Sequence, residues 1–78
     1  MIIYQFLGVF FVKISYKPLW RQLVEKNMSK MDLLYASGIS ACTLAKFGKN
    51  EPVRLDILMR VCETLNCRIE NVVEFIDV

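Results

Sequence analysis

Residues 29–48, SKMDLLYASGISACTLAKFG, hold two helix-start signals and two helix-stop signals in one short span. Only two brief helices meeting at a corner satisfy all four. Ser29 suits an N-cap, and Asp32 three residues on makes a short version of the capping box. Gly38 tolerates the left-handed backbone and closes the first helix. Ser40 then caps the second, and Gly48 is expected to end it. Within that second helix Leu44 and Phe47 point inward. Cys42, Ala45 and Lys46 are left at three-and-four spacing on the other side. A face so sparsely furnished suits close approach to another molecule.

The flanks extend the helical pattern. Pro18 fits the start of a helix, where a missing N–H costs nothing. Leu19, Trp20, Leu23 and Val24 then form an apolar face that runs to Asn27. After the polar loop KNEP, a fourth helix puts Ile57, Leu58, Val61, Cys62 and Leu65 on one side and ends at Asn66. A fifth, short helix is predicted around Val72, Val73 and Ile76. The opening MIIYQFLGVFFV is uncharged but too short for a membrane helix, which needs about 20 apolar residues. Its first base, Lys13, follows the apolar run, unlike a secretory signal. Ile, Val, Phe and Tyr dominate it, so a strand is expected, with Gly8 marking a kink or bulge. The division is an apolar strand or arm over residues 1–16 and a helical domain over residues 17–78.

Seventy-eight residues make one domain with a marginal core. The chain has no histidine, no glycine-rich phosphate loop and no carboxylate pair bracketing a pocket, so neither an enzyme nor a cofactor is expected. Cys42, Cys62 and Cys67 have no CxxC spacing and read as reduced thiols of a cytoplasmic protein rather than metal ligands. Cys62 and Cys67, five apart, are not expected to share a helix face. The formal charge of +2 hides an asymmetry. Residues 1–49 carry seven bases against two acids, +5, and residues 50–78 carry three against six, −3. A basic front half attracts polyanions; solvated charge with no partner accounts for it equally well. Glu63, Glu70, Glu74 and Asp77 read as a solvated back face.

A helix, a tight turn at Gly38-Ile39 and a second helix from Ser40 form a helix-turn-helix. In that device the second helix lies in the DNA major groove. Alanine permits close approach to base edges, and lysine bonds guanine or a phosphate. At ISYKPLW, NMSKMDL, SGISACTLAKFGKNE and LMRVCETLNC, in that order, the chain resembles the Cro/CI-like (Xre-type) helix-turn-helix regulators, over about Ile14 to Ile76. The resemblance implies an all-α, five-helix lambda-repressor-like domain, here with an N-terminal β-strand arm. Leu33, Gly38, Ile39, Leu44 and Phe47 match its structural positions. Ser40, Ala41, Cys42, Ala45 and Lys46 match positions that face bases, and Lys30 and Thr43 match positions that meet phosphates. Lys49, Asn50 and Arg54 are added to the phosphate set. Two residues depart from the pattern: Leu34 stands where alanine is usual, and Arg54 where a serine or threonine caps the fourth helix. The family does not account for the apolar stretch before Lys13.

The expected function is sequence-specific binding of double-stranded DNA by a repressor, with no membrane association. The alternative is a protein-interaction module, such as the antitoxin of a toxin–antitoxin pair. A homodimer is expected, with residues 1–16 of two copies pairing as an antiparallel ribbon. Dimerisation through the fifth helix, with residues 1–11 an upstream start, is the competing view.

Overall fold

A computed structural model describes residues 11–77. Strand β1, Val12–Ser15, leads into α1, Lys17–Glu25, then α2, Lys30–Ser37, α3, Ala41–Gly48, and α4, Leu55–Leu65. A 3-10 turn, Ile69–Asn71, and strand β2, Glu74–Asp77, follow. The expected fifth helix is therefore absent from the described residues: Ile76 lies in a strand. Val72 closes the 3-10 turn in right-handed helical backbone, and a partner strand decides the conformation of residues 74–77. That partner is β1, antiparallel, with Val12 opposite Asp77 and Ser15 opposite Glu74. Over residues 12–15 the arm pairs within its own chain. Gly8 and the rest of residues 1–10 lie outside the described residues.

Three helices end alike. Asn27, Asn50 and Asn66 adopt left-handed backbone with φ of 55°, 57° and 52°. In each case the next residue's N–H reaches back five residues: Met28 to the Leu23 carbonyl, Glu51 to Lys46 and Cys67 to Cys62. These are Schellman endings, with asparagine in the place glycine more often takes. Gly48, expected to stop α3, is its last helical residue, and Asn50 makes the turn. Gly38 does close α2, with φ 74° and its N–H on the Leu34 carbonyl.

Leu19, Leu33, Phe47, Val61, Leu65 and Val72 form the centre of the core, each almost fully buried. Trp20 and Leu34 pack against it, half-buried. Tyr16 ties β1, α1 and α3 together. Its ring meets Phe47 edge-on, centroids 4.8 Å apart. Its hydroxyl donates to the Glu51 carbonyl at 2.7 Å, and its N–H donates to Asn50 Oδ1 at 3.2 Å. Burial pushes its phenol pKa up.

Asn50 thus has two structural duties. Asn50→Ala should lower stability by about 1–3 kcal/mol, because the Tyr16 N–H loses its acceptor and alanine disfavours positive φ. Asn50→Gly should recover the backbone share alone. Urea unfolding of both variants measures the difference.

Candidate nucleic-acid interface

The corner between α2 and α3 is built from local bonds. Ser29 Oγ accepts from the Asp32 N–H at 3.0 Å while an Asp32 carboxylate oxygen accepts from the Ser29 N–H at 2.8 Å, a complete capping box. Ser40 Oγ accepts from the Thr43 N–H at 3.1 Å and donates to the Thr43 hydroxyl at 3.1 Å. Between these caps, Gly38 turns the chain and Ile39 plugs the corner into the core. Ser37 is buried, its hydroxyl donating to the Leu33 carbonyl at 2.6 Å. Arg60, on α4, reaches the Gly38 carbonyl at 3.5 Å, a long contact that places a cation beside the turn. Nothing in the sequence around Arg60 marked it, because the contact joins elements 22 residues apart.

Helix α3 is held by its inner side. Phe47 is fully buried and Leu44 half-buried. Ser40, Ala41, Cys42, Ala45 and Lys46, the residues matched to base-facing positions, are all exposed. The Ser40 hydroxyl serves as the α3 cap, donating and accepting locally.

The phosphate candidates divide into two groups. Lys49 is exposed just past the end of α3. Lys30 is exposed at the start of α2 with its Nζ 4.5 Å from the Trp20 ring centroid, so the indole orients the ammonium at modest entropic cost. Thr43 is half-buried, and its hydroxyl is engaged by Ser40. Asn50 is exposed, with its Oδ1 committed to the Tyr16 N–H. Arg54 forms two bonds to Asp56, at 2.9 and 3.1 Å. Those bonds hold the Asp56 carboxyl below the usual carboxylate range. Arg54 sits at the N-cap of α4 without capping it, exposed and paired with Asp56.

The exposed side of α3, with lysines 30 and 49 on the adjoining elements, offers cationic donors around a face of small side chains. No three histidine, cysteine or acidic residues are grouped to hold a metal ion among the described residues. No helix among them is long and apolar enough to cross a membrane.

Two helices joined by a glycine corner, the second buried on one side and open on the other, define a helix-turn-helix DNA-binding domain. The chain belongs to the Cro/C1-type helix-turn-helix DNA-binding domain family, whose sequence pattern matches residues 18–77. It is similar to the transcriptional regulator VanUg, whose crystal structure matches with a TM-score of 0.83 and 38% sequence identity. That match covers 91% of this chain and 97% of the other. No curated protein matches significantly.

Proposed function

We propose that this protein is a sequence-specific transcriptional repressor that reads the DNA major groove with α3. The observation that carries the reading is the exposed row Ala41, Cys42, Ala45 and Lys46 on a helix anchored from behind by Phe47. Ala41 and Ala45 let the helix backbone approach base edges and offer methyl contact to thymine, and Lys46 donates to guanine O6 or N7. Lys30, Lys49 and the Asn50 amide donate to backbone phosphates on either side, which sets register without reading sequence. The similarity to VanUg, a transcriptional regulator, supports the regulatory role.

One helix of eight residues reads few bases, so two copies acting together give a site of useful length. In this reading the protein binds as a homodimer, with half-sites about 34–36 Å apart, one turn of DNA. Exposed apolar surface supports pairing: Leu55 is 78% and Phe75 72% exposed on neighbouring parts of α4 and β2. Sedimentation with and without a selected DNA site measures the stoichiometry.

Selection of bound duplexes from a random pool tests the function and returns the site and its symmetry. On the selected duplex, affinity should fall on the order of a thousandfold between about 50 and 200 mM salt if roughly six phosphates are neutralised. Gel shifts across that range measure the slope. Binding that ignores salt, or no enrichment of any sequence, overturns the proposal.

A further inference from the structure

The end of α4 folds back on itself at Asn66, whose left-handed backbone carries Cys67 over the preceding turn. The Cys67 N–H donates to the Cys62 carbonyl at 3.0 Å, and the Asn66 N–H to the Glu63 carbonyl at 3.3 Å. In this ending, the side chain that follows the left-handed residue packs on the side chain of the first acceptor. Here both are cysteines. Both thiols are free and half-buried. Both pack against the core, and both line a surface cleft with Met59 and Arg68. Spacing along a straight helix places residues five apart on different faces; the Asn66 turn reverses that. Cys42 sits on α3, exposed and outside this cleft.

We infer that Cys62 and Cys67 form a dithiol that hydrogen peroxide converts reversibly into an intrachain disulfide. Burial first, and then the neighbouring Cys67 thiol, push the Cys62 pKa up. The thiolate is the nucleophile, and that upward push disfavours Cys62 in the role, which leaves Cys67 to meet the oxidant. The Cys67 sulfur attacks one peroxide oxygen, the O–O bond breaks, and the departing hydroxide takes a proton to leave as water. Cys67 is then a sulfenic acid. The Cys62 sulfur attacks it, loses its proton and expels a second water as the S–S bond forms. Two thiols and one peroxide give one disulfide and two waters. The packed turn holds the second thiol beside the first, so this step is effectively unimolecular. The bridge staples the last turn of α4 to the chain leading toward Val72 and β2, and leaves the α2–α3 corner untouched.

Tryptic cleavage after Arg60 and Arg68 releases residues 61–68, VCETLNCR, which hold both cysteines together. Native protein is treated with hydrogen peroxide, blocked with iodoacetamide, digested and weighed. That peptide should emerge unalkylated and lighter by two hydrogens, with Cys42 alkylated, and dithiothreitol should restore both alkylation sites. Cys42→Ser should behave as wild type. Because cysteines this close in sequence can also bridge in an unfolded chain, a glutathione redox series is run on native and urea-unfolded protein. The bridge should be at least about tenfold more favoured in the folded chain. Full alkylation of 61–68 after peroxide, a bridge to Cys42, over-oxidation of Cys67 without a bridge, or a disulfide no more favoured in the fold than in urea each overturns the inference.

Discussion

Replacing Ala45 with glutamate should reduce specific DNA binding to the level of non-specific attraction, a loss on the order of a thousandfold or more. The side chain at this position is exposed on the open side of α3, where the proposed reading brings the helix against the groove floor. Glutamate adds bulk there and sets a carboxylate against base-edge acceptors and nearby phosphates. The fold should be almost unaffected, because glutamate is a good helix former and its charge near the helix C-terminus costs only about 0.3–1 kcal/mol. Ala45→Gln, similar in size without the charge, separates repulsion from bulk and should bind better than the glutamate variant. Lys46→Ala provides the graded comparison: it removes one donor, and the loss should be about 1–3 kcal/mol. Gel shifts on a selected duplex, with circular dichroism as the control for folding, measure all three. Native spectra with wild-type affinity in Ala45→Glu and Lys46→Ala would remove α3 from the role of reader.

The features that the sequence foretold are the ones made by neighbours along the chain. Ser29 with Asp32, Gly38, and Ser40 with the N–H of Thr43 act across one to four residues, so their identities announce the corner. The exposed row on α3 follows from the same short-range geometry once Phe47 is placed inside. What escaped was decided at a distance. Residues 74–77 became a strand because Val12–Ser15, some 60 residues earlier, supplied backbone partners, and no local pattern carries that information. The expectation that the arm pairs with a second copy rests on a five-helix domain offering little sheet to join; over residues 12–15, β2 supplies a partner in the same chain. The seating of Lys30 on Trp20 crosses from α2 to α1, and the Tyr16–Asn50 bond spans 34 residues. The thiol pair was missed for a different reason. Asn66 ends the helix between the two cysteines, so straight-helix spacing does not describe their relation.

Phe47→Ala should be the most destabilising substitution in α3, costing about 3–5 kcal/mol. Phe47 is fully buried, and its ring carries the edge-on contact to Tyr16, so truncation deletes the side chain that anchors α3 and the stacking partner of β1's neighbour at once. Alanine leaves a cavity that Leu19, Leu33 and Val61, parts of the same core, fill only by shifting helices that carry other bonds. A domain of this size has about 4–12 kcal/mol in total at typical stability per residue, so the variant should stand near the edge of folding. DNA affinity should fall with it, for a reason different from that in Ala45→Glu: the reader loses its seat, not its contact. Phe47→Leu separates the two ideas. Leucine keeps much of the volume, loses the aromatic edge, and should cost clearly less than alanine. Its affinity for the selected duplex should stay close to wild type once measured where the protein is folded. Urea midpoints and gel shifts on the two variants decide it. A Phe47→Ala protein that unfolds at the wild-type urea concentration would mean that α3 is not held from behind as the structure describes.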